Sequence, residues 1–279
     1  MYCLTCIVNE EQYEIASAIG YCNNMGGCVE EPNGSNVKFI FYFENKDDAG
    51  NAAKSFAEIL STASTVEFAE NQNWNAKWKE SMEPAQIADG VWVSPTWLEP
   101  PQKGLNAWIK IEPKMAFGTG HHETTRLAAQ EIINRKNEIS GKSVLDIGTG
   151  SGILCFTANF VGASLSLGVE IDSCCLENLA ENLRDNSPSY GSKVNFLIGS
   201  LSSLKTTAKF DTVIMNMLYN ESVPLLEQVK SLSKKGTLLI WSGILAEEQE
   251  DIIEEAQRFG FKLADYRIEN EWWCGSFYS

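Results

Sequence analysis

Basic residues and histidine are what this 279-residue chain has least of. It carries 22 Lys and Arg against 37 Asp and Glu, a formal net charge of −15, and its two histidines are adjacent, at 121 and 122. A sequence-independent grip on phosphates needs a basic face, so the deficit argues against direct nucleic-acid binding. It leaves room for a basic partner, because complementary fields speed encounter. Two neighbouring histidines are too few for histidine-ligated metal chemistry. Eight cysteines are scattered along the chain, and only Cys3 and Cys6 form a CxxC, with no second pair and no nearby histidine. They read as reduced packing cysteines, and no metal is expected. No run reaches eighteen apolar residues, and the opening MYCLTCIVNEEQ meets acids too soon for a signal peptide. The expectation is a soluble, cytoplasmic protein with no membrane role.

What is present is enough apolar residue, 44%, to bury a core, in a length that suits one large and one small domain. Residues 1–72 read as a small α/β unit. Tyr2–Val8 is strand-like, residues 10–22 place Ile15, Ala18, Ile19 and Cys22 on one helical face, and Asn33-Gly34 marks a turn. Val37, Phe39, Phe41 and Phe43 then alternate as a strand, residues 46–60 form a second helix, and Thr65–Phe68 closes the unit. The order βαββαβ predicts a ferredoxin-like α+β domain. Residues 73–101 change character, with four tryptophans and four prolines, and read as a helix, a short hairpin and a linker. Over 102–279, strand-like runs at 143–147, 164–171, 194–198, 210–215 and 237–241 alternate with helical segments, the pattern of a parallel, doubly wound sheet. A helix at 247–259 and strands at 261–268 and 272–278 would add an antiparallel edge.

The sharpest local feature is Val144-Leu145-Asp146-Ile147-Gly148-Thr149-Gly150-Ser151-Gly152, a strand running into a glycine turn and a helix. Gly148 and Gly150 let the turn run tight and let a ligand approach the backbone. Glu170 stands 22 residues after Gly148, at the end of the next strand, where an acid can accept both hydroxyls of a ribose. Nicotinamide sites space their glycines GxGxxG. The spacing here is GxGxG behind an acid, the pattern of S-adenosylmethionine-dependent methyltransferases of the seven-stranded Rossmann-like class, with Asp146 placed to help hold the cofactor's polar end. A glycine turn that merely packed helix on sheet would leave Glu170 unexplained.

Two further segments fit such a site. Phe117–Thr125, with Thr119, Thr124 and Thr125, reads as a polar loop entering a helix from Thr124 to Asn134, whose first amides and hydroxyls suit a carboxylate. A plain capping sequence reads equally well on local grounds. Phe210–Asn216 is the fourth strand, and Asn216 ends it next to the strand that carries Gly148. An uncharged amide there can accept hydrogen bonds from an amine and leave its lone pair free.

Together these residues resemble the bacterial methyltransferase family that acts on large-subunit ribosomal protein eleven. The family's AFGTGxHxTT is present as Ala116–Thr125 with His122 at the family's histidine, its DxGxGSG as Asp146–Gly152, its N-hydrophobic-L as Asn216-Met217-Leu218, and its serine-glycine turn as Ser242-Gly243. The Trp74–Trp78 stretch is similar too, so the likeness runs over most of 73–279. The resemblance implies methyl transfer from S-adenosylmethionine to lysine side-chain and N-terminal amines of that protein; a monomer is expected. It also implies a small N-terminal domain that captures the substrate and moves relative to the catalytic domain. Cofactor contacts carry over to Thr125, Gly148, Glu170 and Asn216; Thr119, Asp146 and Gly150 join them on local grounds. Glu170 stands where the family often has Asp, and Tyr219 is a departure that bears on the amine channel.

Methyl transfer from a sulfonium is an in-line displacement needing neither metal nor covalent intermediate. The harder requirement is a neutral amine, since a free lysine with pKa ~10.4 is neutral only about once in two thousand at pH 7. An apolar channel beside a cation disfavours the ammonium. Asn216 and nearby carbonyls then orient the lone pair, and His122 reads as structural rather than as a base. Methyltransferases acting on glutamine amides or adenine place N-P-P-Y here, but no proline occurs in Asn216–Tyr219. A nicotinamide-dependent oxidoreductase and a non-catalytic, ribosome-associated cofactor-binding protein are the rivals from other classes. The charge is uneven: residues 1–72 hold 11 acids and 3 bases, a net of −8, more than half the excess on about a quarter of the chain.

Overall fold

A computed structural model of the chain describes residues 1–9, 12–68, 82–114, 116–190, 193–205 and 207–279. The helix read near Trp74 and Trp78 lies outside them. The chain forms two compact units, Met1–Met82 and Glu83–Ser279.

In the first unit, β1 (Tyr2–Val8), β2 (Gly27–Asn33), β3 (Asn36–Phe43) and β4 (Ser64–Phe68) form an antiparallel sheet in the order β2-β3-β1-β4. Helices α1 (Tyr13–Cys22) and α2 (Lys46–Leu60) follow β1 and β3. Alternation puts Leu4, Cys6 and Val8 of β1 and Phe39, Phe41 and Phe43 of β3 into one core with Ala16, Ile19, Ala52 and Phe56. Three positions apart on a strand, Cys3 and Cys6 fall on opposite faces, so they do not converge. The tight loop is Gly34-Ser35, one residue beyond the expected Asn33-Gly34, because Asn33 still pairs with Asn36. The Asn45 side chain accepts from the Asp48 amide at 2.9 Å and starts α2.

The second unit opens with β5 (Ala85–Ala88), β6 (Val91–Ser94) and β7 (Ala107–Lys110), a three-stranded sheet with β6 central. Its buried Ile87, Val93 and Ile109 join the larger core, so this stretch packs as part of the second unit. The main sheet contains β8 (Ser143–Ile147), β9 (Leu165–Glu170), β10 (Val194–Ile198), β11 (Phe210–Asn216), β12 (Ser233–Leu245), β13 (Lys262–Glu269) and β14 (Trp272–Tyr278). Their order is β10-β9-β8-β11-β12-β14-β13, parallel as far as β12, with β14 antiparallel to both neighbours. The expected antiparallel addition is present, and the last strand inserts inside β13 rather than outside it.

Both faces of this sheet are covered, so its central strands are apolar at successive positions rather than alternating. Val144, Ile214 and Ile240 point to the layer of α3 (Glu123–Asn134) and α4 (Ile153–Phe160). Leu145, Val213, Met215, Leu239 and Trp241 point to the layer of α6 (Leu226–Leu232) and α7 (Gln249–Arg258). The remaining long helix, α5 (Leu176–Tyr190), carries a buried polar ladder. Asn182 and Asn186 accept the Glu112 and Lys110 amides at 2.9 and 3.0 Å, and Asn178 donates to the Glu112 carbonyl at 2.8 Å. Side-chain amides thus satisfy the backbone at the end of β7 and just beyond it as a neighbouring strand would. Strand order reverses at β8, which lies between β9 and β11, and this opens a crevice beyond their carboxyl ends.

Candidate functional site

At that crevice lies a cleft of about 720 Å³ in the second unit. Gly148, Gly150, Glu170 and Asn216 line it, together with Phe117, His122, Thr124, Asp172, Glu221 and Trp272. No Lys or Arg is among its described lining residues.

The glycine loop is fastened to the upstream loop by one serine. Ser151 donates its hydroxyl to the Gly118 carbonyl at 2.6 Å, and its amide donates to the Phe117 carbonyl at 2.9 Å. Gly150 has φ +53°, and a Cβ there would fall 2.6 Å from the Phe117 carbonyl oxygen. The two motifs therefore approach backbone to backbone, a contact only glycine permits. Glu170 locks the same turn: Oε2 accepts from the Gly150 amide at 2.9 Å and Oε1 from the Asp172 amide at 3.0 Å. A carboxylate has about four acceptor positions, so two remain for ligand hydroxyls.

Asp146 is buried one layer below the cleft and does not line it. Its Oδ2 accepts the Thr149 hydroxyl at 2.5 Å, while Oδ1 is buried without a donor among the described residues. Burial pushes its carboxyl up to about 6, against the Thr149 and Cys155 hydrogen bonds, with the Glu170 charge adding to the rise. Asn216 shows the same signature at the end of the adjacent strand. Its Nδ2 donates to the Thr125 hydroxyl over a long 3.5 Å, and its Oδ1 is buried with no partner among the described residues. An unpaired buried acceptor costs about 1–3 kcal/mol, and Asn216, which lines the cleft, asks for a ligand carrying an N–H or O–H donor. An amino-acid and nucleoside cofactor fits that demand.

Thr125 is fully buried and reaches the site through Asn216 rather than by lining the cleft. Thr119 does not line the cleft either; its hydroxyl meets His121 Nδ1 at 3.4 Å. His122 caps α3, with the Thr124 amide donating to its Nδ1 at 3.3 Å, which starts the helix one residue earlier than expected. Beyond β11, Gly243 at φ +88° lets the Met217 backbone cross β12; a Cβ there would fall 2.6 Å from the Met217 carbonyl oxygen. Ser242 ties this turn to α3 through the Thr124 carbonyl at 2.9 Å. Sequence reasoning missed Trp272, Glu221 and the bridging role of Ser151. Ser151 sat within the quoted motif, whereas Trp272 becomes a site residue only because β14 runs antiparallel.

The sheet order, the glycine turn after β8 and the acid ending β9 define an α/β methyltransferase dependent on S-adenosylmethionine. Residues 7–278 match the family described as ribosomal protein L11 methyltransferase (PrmA). A protein of that name from Fusobacterium nucleatum is 32% identical over 222 residues, 79% of this chain and 70% of the relative. One from Desulfotalea psychrophila is 33% identical over 255 residues, 87% of this chain and 84% of the relative. The crystal structure of a ribosomal protein L11 methylase from Lactobacillus delbrueckii subsp. bulgaricus shares the fold, with a TM-score of 0.62 and 24% identity. The match covers 70% of this chain and 98% of that one. The chain belongs to the ribosomal protein L11 methyltransferase family.

Proposed function

We propose that this protein transfers methyl groups from S-adenosylmethionine to lysine side-chain and N-terminal amines of large-subunit ribosomal protein L11. The observation that carries the site assignment is the buried Oδ1 of Asn216 at the end of β11, an acceptor with no donor among the described residues. In this reading Asn216 receives the acceptor's N–H and so aims the nitrogen lone pair, which makes the catalysis mainly positioning. Gly148, Gly150 and Glu170 hold the cofactor; Asp146 supports the glycine loop from below through Thr149, Thr125 acts through Asn216, and Thr119 shapes the loop behind them. Bound S-adenosylmethionine supplies an electrophilic methyl group on a sulfonium. With Glu170, Asp172 and Glu221 in its lining, the cleft draws an amine in as its cation. The apolar residues beside Asn216, Met217 and Leu218, favour loss of the proton before attack.

The strand order β2-β3-β1-β4 with two helices supports a ferredoxin-like N-terminal domain, residues 1–72. Its capture of the substrate and its movement relative to a catalytic domain over 102–279 are taken from the family. The acidity of residues 1–72 supports a basic protein partner rather than nucleic acid, and we read the enzyme as a cytoplasmic monomer. Among the described residues no helix is long and apolar enough to cross a membrane. The test is incubation with labelled cofactor and hypomethylated ribosomal protein L11, followed by intact-mass analysis. Mass gains of 14 Da steps are expected, and Asn216→Ala should lower kcat at least about a hundredfold, the scale of losing one positioning contact. Unchanged turnover in that variant would sink the role given to Asn216.

A further inference from the structure

Ser151 ties down the glycine loop by more than its hydroxyl and amide. It stands one place before Gly152, whose carbonyl takes the first bond of α4 from the Phe156 amide. The Ser151 carbonyl therefore needs a donor from outside that helix. The donor is Asn182 of α5, whose Nδ2 reaches the carbonyl at 2.9 Å. The same side chain accepts the Glu112 amide on Oδ1 at 2.9 Å, so one amide group joins the glycine loop to the residues just beyond β7. Asn182 is 0% exposed and does not line the cleft.

The connection closes a ring. Glu112 lies five residues before Phe117 in the chain, and the Phe117 and Gly118 carbonyls accept the Ser151 amide and hydroxyl. From Ser151 the path returns through Asn182 to Glu112. The two motifs that meet backbone to backbone at Gly150 thus have a second tie besides their direct contact. An amide suits this post because it presents a donor and an acceptor side by side. Asn186, one turn further along α5 and 1% exposed, is the natural contrast. Its partners among the described residues are the Lys110 amide and carbonyl, at 3.0 and 2.6 Å, and the Asn182 carbonyl at 2.8 Å, none of them in the glycine loop.

Resting on the cofactor site given above, we propose that Asn182 is a positioning residue for S-adenosylmethionine: it fixes the glycine loop against the upstream loop, and cofactor affinity depends on it although it lies outside the cleft. Gly148 and Gly150 present their backbone to a ligand only while the loop keeps one shape. Holding that shape beforehand spares binding the cost of ordering it.

The test sets Asn182→Ala beside Asn186→Ala in the full chain, reading urea unfolding and calorimetric binding of S-adenosylhomocysteine. Each variant strands buried backbone groups, so both should unfold more readily. Only Asn182→Ala should bind S-adenosylhomocysteine more weakly, by about tenfold, the scale of one buried group left unpaired, with Asn186→Ala within about twofold of the native chain. In turnover, Asn182→Ala should raise the KM for S-adenosylmethionine and leave kcat at saturating cofactor unchanged. Native affinity in Asn182→Ala, or the same loss in both variants, overturns the proposal. Should the Asn182 variant fail to fold, amide hydrogen exchange on the native chain decides. Saturating S-adenosylhomocysteine should slow exchange at the Glu112 amide, held by Asn182, at least about threefold more than at the Lys110 amide, held by Asn186. Equal slowing at the two amides overturns it. Binding is read without the acceptor, so the two readings fail separately. A loss confined to Asn182→Ala, in a chain that does not methylate ribosomal protein L11, keeps the positioning role and removes the acceptor protein.

Discussion

Asp146 occupies a position where folding and ligand binding pull its proton in opposite directions. Its carboxyl rises from 3.8 to about 6 because burial disfavours the charge, and one oxygen lacks a donor. Between those two values the unfolded chain has released the proton while the folded chain keeps it. Stability contributed through this residue is therefore greatest below pH 4 and falls as the pH climbs to 6, by roughly 2–4 kcal/mol at about 1.4 kcal/mol per unit. The cofactor settles on the glycine loop that Asp146 supports through Thr149, and a donor brought to its unpaired oxygen would favour the carboxylate, so affinity should move the other way. S-adenosylhomocysteine binding is expected to strengthen between pH 5 and 7 while the apo-protein's unfolding midpoint, referred to Asp146→Asn, declines from pH 4 to 6. Parallel pH profiles for the native protein and Asp146→Asn in both measurements would show that Asp146 does neither job.

At the scale of elements, the parallel strands are pinned together at the edge opposite the site. Asp211 of β11 accepts the Ser143 amide and hydroxyl of β8 at 3.0 and 2.7 Å and pairs with Lys234 of β12 at 2.8 Å. Partial burial pushes its carboxyl up, but the Lys234 and Ser143 hydrogen bonds outweigh that and hold it at about 2. A depressed carboxyl contributes its stability above the unfolded value of 3.8 and loses it as the pH falls toward 2. Asp211→Ala should cost about 1–2 kcal/mol at pH 7 in denaturant unfolding, a difference that vanishes near pH 2, with S-adenosylhomocysteine affinity held within about twofold. These strands were legible in the sequence because both faces are covered, which leaves unbroken apolar runs such as Val144-Leu145 and Val213-Ile214-Met215. The glycine turn and Glu170 were legible because their spacing is local. Trp272 was not, since its place depends on β14 inserting antiparallel between β12 and β13. Nor was the ladder of Asn178, Asn182 and Asn186: polar residues at a four-residue spacing read as a solvated helix face, yet all three are buried against β7.

For the whole molecule the unequal charge is the feature that reaches beyond any one contact. Residues 1–72 carry a net of −8, and the described lining of the cleft has acids without bases, so a cationic acceptor would meet one sign of potential at the site and on the part we propose captures it. The same acidity could serve solubility alone, and the two uses differ in how they respond to salt. Steering acts over a Debye length of about 10 Å at 0.1 M and weakens as ions are added, whereas solubility carries no dependence on the partner. Glu44, Glu58 and Glu67 are exposed, lie outside the core of the first unit and are far in sequence from Asn216. Replacing the three by lysine should raise KM for ribosomal protein L11 several-fold at low salt and leave kcat alone, since the field changes encounter rather than the reacting geometry. The difference from the native protein should shrink steadily toward 0.5 M salt. A KM and a salt slope that match those of the native chain would assign the charge to solubility and leave substrate capture to contacts of another kind.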